Sequence, residues 1–340
     1  MSMPHNQVKL IDIAKKLDVS VGLVSIVLSG KSKERRISDE LTAKVIEKAK
    51  ALGYRPNQLA RGLRTGKSGI LGLVVADISN PFFGKMARYI ENEAAKVEYQ
   101  VMFGSSDENP GKLENLINMF TSRQVDGMII VPVFQSESFL LSLQEQSIPF
   151  VFIDRYCDGV DEDAVVSDNY LGSYQLTSLL IKNGYRKIAA IANDFHLSNI
   201  KERIRGFTTA IKESELDYSV EDFIHEVNLD QLDIRIEAVL KQTLNKGCDA
   251  FFFANNKLGI SSLKYFDKIG LTIPGDIGIV SFDNPEAFQV ANPGITCLEQ
   301  PIELMCAKAI NILSRKIEGN TKIKPERISL PGHLIIRESC

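Results

Sequence analysis

From residue 69 to the C-terminus, short apolar runs alternate with amphipathic stretches of helix length, and few folds can accommodate that alternation. The runs lie at residues 70–76, 100–105, 127–131, 150–153, 187–192, 250–254 and 278–282, with helical patterns such as 82–96 and 172–183 between them. Near-continuous apolar strands separated by helices must be buried on both faces, which predicts an α/β fold of parallel sheets covered by helices on each side. Residues 67–340 are too many for one compact sheet, so two similar lobes are expected.

Open α/β sheets bind ligands beyond the carboxyl ends of their strands. At those ends the sequence places Asp77, Asn80, Asp154, Arg155, Asn255, Asp283 and Asn284. Each alone reads as an ordinary loop cap, but their recurrence after successive strands marks them together as candidate ligand contacts.

The first fifty-odd residues follow a different period. Leu10, Ile13, Ala14 and Leu17 fall on one helical face, and Asp18-Val19 interrupts it. Ser20 can then cap a second helix whose inward stripe is Leu23, Val24, Val27 and Leu28, closed by Ser29-Gly30. Ser20, Val21, Gly22, Ser25 and Ile26 remain on its outer side. A basic loop, residues 31–36 with Lys31 and Arg35, leads to Ser38, the cap of a third helix with Asp39 and Glu40 in its first turn. The small Ala14 and the tight break let the second helix cross the first closely and protrude, as a major-groove reader requires. Charge agrees. Residues 1–66 hold 13 Lys and Arg against 6 Asp and Glu, whereas the remaining residues hold 27 against 37, inside a net charge of −3. A basic head on an acidic body suits a polyanion partner for the head alone.

Between head and body runs Tyr54-Arg55-Pro56-Asn57-Gln58-Leu59-Ala60-Arg61-Gly62-Leu63-Arg64. Pro56 ends what precedes it, Asn57 can cap, and Leu59 and Leu63 stand at i and i+4. A helix of about two turns with an interior glycine is too short to persist alone, so it reads as a segment that folds on a partner.

Residues 8–64 resemble the head of the lactose/galactose repressor (LacI/GalR) family, and the rest of the chain follows that family's layout. The resemblance is carried by Ile11-Asp12-Ile13-Ala14, Val19-Ser20, Val24-Ser25, and Tyr54-Arg55-Pro56-Asn57 through Leu63. It implies a helix-turn-helix head (residues 1–54), a hinge (55–66) and an effector-binding and dimerisation domain (67–340) like the periplasmic sugar-binding proteins. The lobes would comprise about 67–166 with 294–327, and 167–293 with 328–340, the last strand (334–336) returning to the second. It further implies a homodimeric repressor on a palindromic double-stranded DNA operator. There Leu63 would wedge open a base step, Leu59 would meet its mate, and Asn57, Ala60, Arg61 and Arg64 would sit at the DNA. In the cleft the resemblance adds Phe82 and Phe83 as an apolar wall and Arg203 as a bidentate donor, and it matches Asp283 to a carboxylate for hydroxyl or amide groups. Such a set suits a sugar effector; a nucleobase or another polar metabolite could use it too.

Two departures stand out. Family members usually carry polar side chains where this chain has Val21, Gly22 and Ile26, so thymine-methyl contacts, DNA deformability and phosphate contacts are expected to carry more of the discrimination. Asn256 stands where the family more often has Asp.

Enzyme readings fail. Gly66-Lys67-Ser68 imitates the end of a phosphate loop, but Arg61 stands where the loop needs glycine and a strand follows instead of a helix. The four histidines and five cysteines are dispersed, with no metal or catalytic spacing, so no cofactor or metal is expected. The polar N-terminus lacks a secretory pattern and no apolar run nears the ~18 residues of a membrane helix, so a cytoplasmic protein is expected. The competing readings are a cytoplasmic solute-binding protein without DNA function and a sugar or nucleotide enzyme of the Rossmann type. With no heptad tail, assembly is expected to stop at the dimer.

Overall fold

The computed structural model describes residues 8–54, 67–320 and 324–340. Contacts divide the chain into two units, one ending at Ser68 and the other running from Gly69 to Cys340.

In the first unit, α1 (Leu10–Leu17), α2 (Val21–Leu28) and α3 (Asp39–Ala51) pack around Ile13, Ala14, Val24, Val27, Val45 and Ala49. Local chemistry sets the boundaries. Asp18 takes a left-handed conformation (φ 52°) that ends α1, and the Ser20 hydroxyl accepts the Leu23 N–H at 3.1 Å to begin α2. The Ser38 hydroxyl accepts the Leu41 N–H at 3.3 Å to begin α3, whose first turn carries Asp39 and Glu40. These caps satisfy amide groups that no helix can satisfy internally.

The second unit alternates strand and helix. Its first half contains β1 (Ile70–Val75), α4 (Pro81–Lys96), β2 (Gln100–Ser105), α5 (Pro110–Ser122), β3 (Gly127–Ile130), α6 (Glu137–Glu145), β4 (Phe150–Ile153) and β5 (Ala164–Ser167). The second half continues with α7 (Asn169–Lys182), β6 (Ile188–Ala192), α8 (Ser198–Lys212), β7 (Ile224–Glu226), α9 (Leu232–Asn245), β8 (Ala250–Phe253), α10 (Asn256–Ile269), β9 (Gly278–Phe282), α11 (Glu286–Val290) and β10 (Thr296–Glu299). Helix α12 (Ile302–Ile317), β11 (Arg327–Leu330) and β12 (His333–Ile335) complete the chain.

Two sheets result, ordered β11-β5-β4-β3-β1-β2 and β12-β10-β9-β8-β6-β7. Every pairing is parallel except β10 with β12. The orders match position for position, so each lobe repeats the other's plan. Alternate strand residues enter opposite cores, as pleating demands. Phe251 and Phe253 join Leu258 and Phe266 of α10, while Phe252 joins Phe207 of α8 and Leu176 of α7. In the first lobe Leu73 and Ile129 meet Met86 of α4 and Leu313 of α12, and Val74 and Met128 meet Phe120 of α5. Helices α7 and α8 approach closely because residue 206 is glycine; a Cβ there would lie 2.2 Å from the Tyr170 carbonyl oxygen.

The lobe boundaries expected near residues 293 and 328 need correction. Residues 296–299 form β10, which pairs with β9 in register Cys297↔Ser281 and so belongs to the second lobe. The chain returns to the first lobe only after Glu299, through α12, whose apolar face joins that lobe's core. Strand β11 pairs with β5 as far as Leu330, so the last crossing follows at Pro331-Gly332. Strands β5, β7, β10 and β11 escaped the sequence reading because they are three or four residues long and mix polar with apolar side chains.

Candidate functional site

The carboxyl ends of both sheets converge on a cleft open to solvent. Asp77, Asn80, Phe82, Phe83, Asp154, Arg155, Arg203, Asn255 and Asp283 all line it, so all but one of the residues expected there are brought together. Asn284 is not among them; its side chain accepts from Arg337 Nη2 at 2.8 Å and donates to Glu299. Asn80 and Asn255 also cap helices, accepting the Phe82 N–H at 3.1 Å and the Leu258 N–H at 3.0 Å. The cap and the cleft wall are the same residue at these two positions.

The sequence reading missed Glu108, Asn193, Asn199, Lys257 and Gln300, together with the apolar Leu197, Ile200 and Leu229. Glu108, Asn193 and Gln300 follow β2, β6 and β10 and obey the strand-end rule that found the others. Asn199 and Lys257 sit in first helical turns, which alternation alone does not mark.

Asp154 and Asp283 directly follow β4 and β9, the same position in the two sheets, with φ 71° and 67°. Left-handed backbone at a non-glycine residue costs on the order of 1 kcal/mol or more and persists where surrounding structure enforces it. Asp283 accepts Gln300 Nε2 at 2.7 Å, and Asp154 accepts Asn199 Nδ2 at 3.4 Å. Burial pushes the Asp154 carboxyl up to about 6; Arg155 and Arg203 oppose the shift, and Asp283 and Glu108 add to it.

Arg203 is buried, stacks 3.9 Å from the Phe282 ring centroid, and donates from Nε to Asn169 Oδ1 at 2.8 Å and from Nη1 to the Ala254 carbonyl at 2.6 Å. Burial holds its pKa below the ordinary arginine value despite Asp283 and Asp154. Arg155 donates to Glu108 at 2.8 Å, and although burial disfavours its charge, Glu108 and Asp154 raise its pKa on balance. Three buried atoms on this cleft, Arg203 Nη2, Arg155 Nε and Gln300 Oε1, have no hydrogen-bond partner among the described residues. Unmatched buried donors and an acceptor cost free energy that a polar ligand can restore.

Direct contacts join the lobes across the cleft. Asn80 and Asn256 exchange amide hydrogen bonds at 2.9 and 3.3 Å, and Lys257 pairs with Asp77. Partial burial disfavours the Asp77 charge, but Lys257 and Ser79 hold its pKa below the usual value. Ser198 accepts the Tyr156 N–H at 3.0 Å and donates to the Tyr156 carbonyl at 2.9 Å, while the Phe134 and His196 rings stack at 4.3 Å. Asn256, anomalous by the resemblance, thus has its side chain engaged between the lobes.

In the head, Val21 and Gly22 of α2 are exposed and Ser25 and Ile26 half-buried. Residues 31–36 fold into turns closed by Arg35 N–H to Lys31 O at 3.1 Å and Ile37 N–H to Ser32 O at 2.9 Å, with Lys31 and Arg35 exposed. Asn57, Leu59, Ala60, Arg61, Leu63 and Arg64 lie outside the described residues.

Residues 177–340 match the model of a periplasmic binding protein-like domain. The chain is 30% identical over 331 residues to the HTH-type transcriptional regulator DegA of Bacillus subtilis, covering 96% of each chain. It is likewise 30% identical to a ribose operon repressor of Halalkalibacterium halodurans, again over 96% of each. Among solved structures, the transcriptional regulator CelR in complex with cellobiose superposes with a TM-score of 0.73 at 25% identity, covering 98% of this chain and 100% of that one.

Proposed function

The chain belongs to the lactose/galactose repressor family of transcription regulators, and we propose that it represses by gripping a palindromic DNA operator as a homodimer whose affinity a sugar in the interlobe cleft controls. It is a regulator, not an enzyme. Its place of work is the cytoplasm, where that DNA lies. The observation that carries the effector reading is the set of buried atoms on the cleft wall without a hydrogen bond among the described residues, Arg203 Nη2, Arg155 Nε and Gln300 Oε1. Beside the carboxylates of Asp154 and Asp283 and the rings of Phe82 and Phe83 they offer donors, acceptors and an apolar face, the needs of a polyhydroxylated ring. Relatives named for ribose and crystallised with cellobiose support a sugar over other polar metabolites.

In the head, Ser20, Val21, Gly22, Ser25 and Ile26 are assigned to the major groove and Lys31 and Arg35 to phosphates. Asn57 through Arg64 form the hinge, with Leu63 as its wedge. Sugar binding stabilises one arrangement of the lobes and thereby changes the spacing of the paired hinges; it acts only through its different affinities for the two arrangements.

The test is selection of a duplex from a randomised pool by the full chain at two salt concentrations, followed by a panel of sugars. A selected palindrome, weakened by salt as phosphate contacts require and altered in affinity by one sugar, is the expected result. Leu63→Ala should weaken duplex binding with the sugar affinity kept, and Asp283→Ala should lose the sugar response with the duplex kept. Sugar binding without any selected duplex would leave a solute-binding protein in place of a regulator's DNA grip.

A further inference from the structure

Two of the bridges across the cleft are related by the sheet orders. Matched position for position, β1 of the first sheet corresponds to β6 of the second, and β3 to β8. One bridge joins Asp77 and Asn80, after β1, to Lys257 and Asn256, after β8. The other joins Phe134, after β3, to His196, after β6, their rings 4.3 Å apart and 16° from parallel. Exchanging the lobes turns one bridge into the other. The two therefore stand on opposite flanks of the cleft, and both must part when it opens.

Their chemistry differs. Asp77, Asn80 and Lys257 line the cleft, so a polar ligand competes for them, whereas Phe134 and His196 do not line it. Both rings are exposed, Phe134 by 39%, yet each is presented by a constrained loop. On the first lobe Ser136 Oγ donates to the Val133 carbonyl at 2.6 Å, and Gln135 between them takes φ 61°. On the second, the His196 N–H donates to Asp194 Oδ1 at 3.1 Å and the Phe195 N–H to Glu226 Oε1 at 3.0 Å. Stacked rings gain more than the area they bury, while solvent screens a partly exposed ion pair such as Lys257 with Asp77. Beside the stack, Lys201 pairs with Asp158 at 2.8 Å, also between lobes, but both side chains are exposed.

We propose that Phe134 and His196 form an aromatic clasp that sets how often the cleft opens, and so how fast an effector enters and leaves, without touching it. The consequence for exchange of a sugar rests on the reading of the cleft as an effector site. The opening itself is a property of the chain and is measurable without any ligand.

Hydrogen exchange in heavy water tests the clasp on the full chain. The Tyr156 N–H bonds the Ser198 hydroxyl of the other lobe at 3.0 Å, so its exchange reports opening. The Phe152 N–H bonds the Asp163 carbonyl at 2.8 Å within the first lobe and reports that lobe's own stability. Phe134→Ala and His196→Ala should each speed exchange at Tyr156 about two- to tenfold and leave Phe152 unchanged. His196→Phe keeps a ring and should restore the parent rate. The double alanine variant should match the single ones, since either abolishes the stack. Unchanged exchange at Tyr156, equal acceleration at Phe152, or additive effects in the double variant would overturn the proposal. With ribose and cellobiose as probes, release of whichever binds should quicken by the same factor, and an unchanged release rate would also overturn it. Binding of neither would remove the sugar reading and leave the exchange measurement to decide the clasp.

Discussion

Asp154 and Asp283 end equivalent strands in left-handed conformation, and both carboxylates face groups of like and opposite charge within one cleft. For Asp154, burial and the neighbouring Asp283 and Glu108 outweigh Arg155 and Arg203, so its carboxyl titrates near 6 instead of near 4. The folded state therefore binds this proton more tightly than the unfolded chain does. Stability contributed by the neutral form is fully present below about pH 4 and is lost as pH rises through about 6, on the order of 2–3 kcal/mol from this group alone. Asp154→Asn keeps the shape, tolerates the left-handed backbone and cannot ionise. It is expected to unfold at higher temperature than the parent at pH 7.5, with the difference shrinking as pH falls and vanishing only below about pH 4. A melting difference that stays constant across this range would show that the residue does not titrate as described. The sequence alone placed Asp154 at a strand end, where it lines the cleft, because the strand-end rule is positional. Its raised pKa depends on burial and on Asp283 and Glu108, brought in from other parts of the chain, and so was not legible there.

Among elements, wholly or mostly apolar runs were read correctly, the edge strand Gln100–Ser105 included, whereas strands of three or four residues that mix polar with apolar side chains were missed even inside the sheets, as Ala164–Ser167 and Thr296–Glu299 were. Strands such as Phe150–Ile153 and Ala250–Phe253 are wholly apolar because helices cover both their faces, and that leaves an unmistakable run. Edge strands such as Ile224–Glu226 satisfy solvent on one side and carry no such run. The head helices were legible for a different reason, since their caps are chemical signals local in sequence. The contact between α7 and α8 is the opposite case, because nothing near Gly206 in the sequence announces the Tyr170 carbonyl oxygen against it. Gly206→Ala must push these helices apart and is expected to destabilise the fold by about 1–3 kcal/mol, measurable as a lowered denaturation midpoint. An unchanged midpoint would mean the helices separate without cost. Gly84, in α4, has nothing within 4 Å of a built Cβ and serves as the control, where the same substitution is expected to stabilise the helix by about 0.5–1 kcal/mol.

For the molecule as a whole, closure of the cleft is held by side chains from both lobes. Lys257 with Asp77, Asn256 with Asn80, and Ser198 with the Tyr156 backbone all cross it. A sugar that binds the closed arrangement gains from every contact that already favours closure. The Lys257 pair is partly exposed, so its share is small, roughly 0.2–1 kcal/mol. Removing it together with the amide pair, as Asn256→Ala with Lys257→Ala, should weaken sugar affinity severalfold. The melting temperature of the second unit should change little. Unaltered affinity in a titration of the double variant would show that these contacts do not favour the sugar-binding arrangement.

What the sequence determined by itself is whatever local chemistry and periodicity encode: three helices in the head, two of them opened by serine caps, parallel strands between amphipathic helices, and polar residues where strands end. What tertiary structure alone decided is which of those residues meet. The lobe crossings follow strand pairing, which placed residues 296–299 beside β9 against the sequence expectation. Asn256 reaches Asn80 and Lys257 reaches Asp77 because the two sheets point their carboxyl ends at one another. Strand ends are properties of a segment, whereas a cleft, its charge balance and its unpartnered atoms are properties of distances between segments, and no residue spacing specifies those.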